Sequence, residues 1–143
     1  MIRRWMDTGI KIVPVSVNIS RVDLYNPKLF ESILSMVDRY EIPHQYIEFE
    51  LTETTFVMDN AQLTALSNKI REHGFKVLMD DFGSGYSSLN CLKDLELDVI
   101  KIDLKFMPVT REDRRACAIL RAVVDMARDI GVDMMYSDIR QNG

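Results

Sequence analysis

The sequence predicts an α/β protein whose strands run parallel and alternate strictly with helices. Three observations carry that expectation. Five short runs rich in β-branched or large apolar residues are separated by four stretches with apolar residues at helical spacing. Gly or Pro stands at the joints, at Gly9, Pro43, Gly74 and Gly131. Polar residues gather where the apolar runs end. Strict alternation of this kind requires right-handed crossovers between parallel strands. An open doubly wound sheet and part of an α/β barrel both satisfy it, and periodicity does not separate them.

In chain order, residues 1–8 read as the last turns of a helix closed by Gly9. Residues 10–20 read as a strand carrying Ile12, Val13, Val15, Val17 and Ile19, with Pro14 tolerable near its start. Asn26-Pro27 predicts an N-cap and a first-turn proline. The helix behind it carries Phe30, Ile33, Leu34 and Val37 to about Tyr40, and Ile42-Pro43 breaks it. Residues 46–51, Tyr-Ile-Glu-Phe-Glu-Leu, alternate as a strand. Asp59 and Gln62 have capping-box spacing ahead of a helix that turns Leu63, Leu66 and Ile70 inward. Val77-Leu78-Met79 is a short buried strand, followed by a helix over 87–95 and a strand over 97–102. Thr110 with Asp113 starts a long helix with Ala116, Ile119, Leu120, Val123, Val124 and Ala127 on its buried side. Gly131 ends that helix, and residues 132–136 form the last strand.

The 143 residues are 47% hydrophobic and 28% charged, the composition of one globular domain and not of a disordered segment. The chain is shorter than the roughly 250 residues of a typical eight-stranded α/β barrel. A net charge of −4 argues against a broad surface for nucleic-acid polymers or anionic lipid. No apolar run approaches the roughly 18 residues of a membrane span. Met1-Ile2-Arg3-Arg4-Trp5 is not followed by the apolar segment of a signal peptide. Cys91 and Cys117 lack metal-site spacing and read as reduced thiols of a cytoplasmic protein. His44 and His73, beside Pro43 and Gly74, read as surface or capping residues.

The chemistry lies where the strands stop. Asn18, Glu50, Asp80-Asp81 and Lys101 each stand at the end of a different strand. In parallel α/β folds those ends collect on one face, where sites form. Three carboxylates and an amide oxygen converging there would repel one another without a cation. Oxygen ligands unaccompanied by His or Cys favour Mg²⁺, Mn²⁺ or Ca²⁺ over Zn²⁺. An ammonium at Lys101 can stabilise an ionised water and the charge that builds on an attacked phosphoryl group. Together these residues point to metal-assisted hydrolysis of a phosphate ester. Singly, each has a plainer role: Asp-Asp as a cap and turn, Lys101 as cover for a strand end, Glu50 as a surface partner. Gly83-Ser84-Gly85 lacks the third glycine of a dinucleotide fold and the Gly-Lys-Ser/Thr of a P-loop. It reads as a mobile loop that orders when the metal site fills.

These residues carry a resemblance to the EAL-domain phosphodiesterases, which hydrolyse cyclic di-GMP to linear pGpG. Val17-Asn18-Ile19-Ser20, Glu50-Leu51-Thr52-Glu53, the run from Asp80-Asp81-Phe82 through Gly83-Ser84-Gly85-Tyr86-Ser87-Ser88, and Lys101-Ile102-Asp103 resemble that family's successive strand-end motifs. The resemblance implies an incomplete TIM-like (β/α) barrel. It implies Asn18, Glu50, Asp80 and Asp81 as ligands of a two-metal Mg²⁺ or Mn²⁺ site and Lys101 as the lysine assisting the catalytic water. It implies that Glu53 anchors the loop Phe82, Gly83, Ser84, Gly85, Tyr86, Ser87, Ser88, coupling the metals to dimer contacts.

The sequence also departs from the family pattern. The Glu-Ala-Leu strand has no counterpart, and residues 1–143 are expected to form a partial domain, strands two to six of the barrel. Where the family has Ala-Glu-Gly-Val-Glu, this chain has Tyr136-Ser137-Asp138-Ile139-Arg140. Ser137 stands in a catalytic glutamate's place, and Arg140 reverses a second acid. The isolated chain is therefore expected to be inactive as a phosphodiesterase. The alternative is an EAL-like module that binds cyclic di-GMP or a protein partner without turnover. Homodimerisation and attached sensor or GGDEF domains are further expectations from the resemblance.

Overall fold

The computed structural model describes residues 1–52, 55, 60–83, 88–103 and 107–136. Five strands occur among them: β1 (Val15–Ile19), β2 (Ile47–Leu51), β3 (Lys76–Phe82), β4 (Val99–Ile102) and β5 (Asp133–Tyr136). Helix α1 (Ile2–Asp7) precedes them, and α2 (Leu29–Arg39), α3 (Asn60–Glu72), α4 (Ser88–Asp94) and α5 (Arg114–Ile130) lie between them. All strand pairs are parallel, in the order β1-β2-β3-β4-β5. The sheet is not closed: β1 and β5 each keep an edge that pairs with no described strand. The expectation of five parallel strands in an incomplete barrel is met.

Several boundaries differ from the expected ones. The first strand is shorter than 10–20, because Pro14 has no N–H to donate to a ladder, and Ile10 and Val13 are exposed. Asn26 does not cap α2. Its Oδ1 accepts from the Lys28 N–H at 3.1 Å, closing an Asx turn two residues before the helix. The cap of α5 is Asp113 and not Thr110: its carboxylate accepts from the Ala116 N–H at 3.2 Å. Gly131 then takes φ +75°, the left-handed turn a glycine reaches without strain, and stops α5. The Asp59–Gln62 capping box falls outside the described residues.

Period-two alternation divides the sheet into two faces. One carries Ile19, Phe49, Leu51, Val77, Met79, Ile100 and Ile102 into a core shared with the helices. Phe30 of α2, Phe49 of β2 and Phe75 pack as a tilted aromatic trio, with ring centroids 5.3 to 6.1 Å apart. The opposite face carries Ser16, Asn18, Glu48, Glu50, Leu78, Asp80, Val99, Lys101, Asp133 and Met135. On this face Asn18, Glu50, Asp80 and Lys101 lie toward the carboxyl ends of their strands.

Burial thins toward β5. Of the six residues expected on the buried side of α5, only Ala127 is fully buried, and Ile119 is 50% exposed. The spacing marks the correct helix face. The cover over that face is what is thin, because Tyr136, on the same face of β5, is itself 59% exposed.

Candidate functional site

The first four strands each bring polar residues to the same end of the sheet. On β1 and β2, Asn18 and Glu50 are register partners, directly opposite on the inner face. On β3 the ladder is irregular. Met79 pairs with Ile100 and Phe82 with Ile102, so Asp80 and Asp81 together oppose the single residue Lys101. That is a β-bulge. Met79 and Phe82 both belong to the core, and a regular strand cannot turn two residues three apart to one face. Asp81 absorbs the extra residue by taking φ +55°, a left-handed conformation that Asp tolerates better than most side chains. The Asp80 carboxylate accepts from the Asp81 N–H at 2.9 Å, stiffening the bulge.

Lys101 completes the arrangement. Its Nζ forms an ion pair with the Glu50 Oε1, reaching from β4 over β3 to β2. Glu50 is 7% exposed at the side chain and Lys101 20%. A buried carboxylate needs such a counter-charge. Asp80 is half-buried, whereas Asp81 and Asn18 are exposed.

The strand tips are also tied through side chains to which the sequence reading gave no role. Thr55, fully buried, donates its hydroxyl to the Ile19 carbonyl at 3.4 Å, and the Thr52 hydroxyl lies 3.0 Å from it. After β1, the Asp23 carboxylate accepts from the Ser20 hydroxyl at 2.6 Å and the Ser20 N–H at 2.8 Å. Those bonds hold its carboxyl below the usual carboxylate range, the hydroxyl contributing most. In the sequence these residues look like ordinary loop polars. Of the expected site residues, Glu53, Ser84, Gly85, Tyr86, Ser87 and Ser137 lie outside the described residues.

A hard divalent cation fits the donor chemistry: an amide and carboxylates, all oxygen, at neighbouring strand tips beside a buried Glu50 that already requires positive charge. Among the described residues, no three of His, Cys, Asp and Glu gather closely enough to hold a metal.

A family model, the EAL domain, matches residues 1–142. The chain belongs to the EAL domain family. Among curated relatives it is 31% identical over 119 residues to the cyclic di-GMP phosphodiesterase PdeB of Shewanella oneidensis, covering 83% of this chain and 14% of that protein. Among solved structures, the EAL domain of Mycobacterium smegmatis DcpA superposes with a TM-score of 0.83 at 29% identity, over 94% of this chain and 61% of that one. A standalone EAL protein of Vibrio cholerae in its c-di-GMP-bound form gives 0.80 at 26% identity, over 94% and 57%. This EAL chain spans 14–33% of the length of the first curated relatives it matches. No helix among its described residues is long and apolar enough to cross a membrane.

Proposed function

We propose that this EAL chain forms strands two to six of a phosphodiesterase barrel whose site hydrolyses cyclic di-GMP to linear pGpG. The observation that carries the reading is the bulge: two carboxylates, Asp80 and Asp81, set opposite the lysine that holds Glu50. The relatives named cyclic di-GMP phosphodiesterases support the substrate.

In this reading Asn18, Glu50, Asp80 and Asp81 would hold Mg²⁺ or Mn²⁺. Such a cation, when bound, would acidify a water and neutralise phosphoryl charge. Lys101 keeps Glu50 oriented and places an ammonium where charge builds on the attacked phosphate. Glu53 would anchor the loop 82–88, through which a homodimer would form. Attached sensor or GGDEF domains belong to the same reading, as does a cytoplasmic location, which the free thiols of Cys91 and Cys117 support.

Incubation with cyclic di-GMP and Mn²⁺, with pGpG separated chromatographically, tests the proposal. Product from the wild-type chain that disappears in Asp80→Asn supports it and overturns the expectation that the isolated chain is inactive. No product at high protein concentration refutes turnover by this chain. A second reading, binding without turnover, is favoured by Ser137 and Arg140 at positions where the family carries acids. Calorimetric uptake of cyclic di-GMP without product would select it.

A further inference from the structure

We infer that a cavity between the sheet and helices α2 and α3 is a binding site for a branched-chain α-amino acid, its alkyl group inside and its two charges at the rim. The cavity encloses about 100 Å³. Its walls are Ile19 of β1, Phe49 of β2, Phe30 and Ile33 of α2, and Leu66 of α3. Ile19 and Phe49 face the core, so the space lies on the opposite side of the sheet from Asn18 and Glu50. It is no part of the strand-tip site, and the inference does not rest on the reading of that site.

Protein interiors are close-packed, with few voids larger than a water molecule. Here Ile19, Phe30 and Phe49, none more than 4% exposed, border such a space. Size selects what enters it. An apolar cavity of roughly 150 Å³ admits benzene. One of about 100 Å³ takes an isopropyl or isobutyl group in preference to an aromatic ring.

Two charges of opposite sign line the same cavity, Asp23 and Lys69, and each has bonding capacity to spare. Asp23 accepts from the Ser20 N–H and hydroxyl on one oxygen, Oδ2, which leaves Oδ1 to accept from a ligand. The same bonds keep its carboxyl ionised. Lys69 gives one of its three protons to Glu31 at 3.2 Å, and its Nζ stands 5.3 Å from the centroid of the Phe30 ring. A simple acid would meet the like charge of Asp23, and a simple amine that of Lys69. A zwitterion complements both, its ammonium toward Asp23 and its carboxylate toward Lys69. Valine and leucine join that head group to an alkyl group of the right size.

The test uses the full chain and follows uptake of L-leucine by NMR titration, with thermal melting of each variant as the control for folding. Leucine at millimolar concentration is expected to saturate the wild type. Isocaproate, which lacks the ammonium, and isoamylamine, which lacks the carboxylate, are each expected to bind about tenfold more weakly, the loss of one charged hydrogen bond. Phenylalanine is expected not to bind. Lys69→Met keeps an apolar stem and gives up only an exposed ion pair with Glu31. It is expected to weaken leucine about tenfold and not to weaken isoamylamine. Leu66→Phe fills the cavity and is expected to abolish uptake; should it fail to melt cooperatively, Lys69→Met decides. Asp80→Asn, at the strand tips, is expected to bind leucine as the wild type does. A wild-type chain that takes up no leucine overturns the inference. So does a leucine affinity that is unchanged in Lys69→Met, matched by both single-charge analogues, or lost in Asp80→Asn.

Discussion

Lys101 and Glu50 lie on strands that are not neighbours, and their side chains meet across β3. Two strand spacings, about 10 Å, separate their backbones. The pair is thus a strap over the inner face. With Glu50 only 7% exposed, Lys101→Ala leaves a buried carboxylate without its counter-charge. The expected loss is about 3 kcal/mol, read as a lower urea midpoint at unchanged m-value. Glu50→Gln combined with Lys101→Ala is expected to cost less than the sum of the two single changes.

Asp81 sits at φ +55° on a strand, where a side chain costs about 1–2 kcal/mol relative to glycine. Asp81→Gly is therefore expected to be more stable than Asp81→Ala by about 1 kcal/mol. Denaturant melts of the two variants decide it, and the reverse order would mean that the bulge does not require the left-handed conformation.

His44 bonds at both ring nitrogens, donating to the His73 carbonyl and bridging to the Asp38 carboxylate at 2.9 Å. The His73 carbonyl does most to hold its pKa above the ordinary histidine value; burial opposes it, and Asp38 adds a lesser upward push. A pKa raised on folding adds stability that is fully present below the unfolded value of about 6.5 and is lost as pH climbs through the folded one. Urea midpoints should therefore fall across that rise in pH, and His44→Gln should flatten the dependence. Stacking of His44 on Phe75, centroids 4.2 Å apart, makes some loss of stability expected in that variant at every pH.

Amide exchange should follow the gradient of burial. The β2 and β3 amides, between paired neighbours, are expected to exchange slowest. Those of β5, where Tyr136 is 59% exposed, should exchange well before global unfolding. Equal protection across the sheet would contradict this.

Much of the architecture was legible because it rests on coarse signals: apolar runs, helical spacing, and glycines such as Gly74 and Gly131 at the joints. The boundaries were less so, because capping is decided among near-equivalent polars. Asn26 and Thr110 looked like caps, and geometry gave the α5 cap to Asp113. The strand-tip positions of Asn18, Glu50, Asp80 and Lys101 were legible too. The bulge was present in the sequence as an odd spacing between Met79 and Phe82, a cue visible only once both are known to face the core. Nothing in the residue types marked Thr55, since burial of a loop hydroxyl depends on two strand tips far apart in sequence.

Strand order equals chain order throughout the described sheet. From β2 onward, each described strand therefore finds its partner one helical crossover back. Closing loops of that modest length costs little entropy and favours fast assembly. On a ribosome, β1 to β5 could dock in the sequence in which they emerge, each new unit covering the edge left by the last. The growing sheet would then always expose one template edge at its leading side, where the strand added last is the one held least firmly.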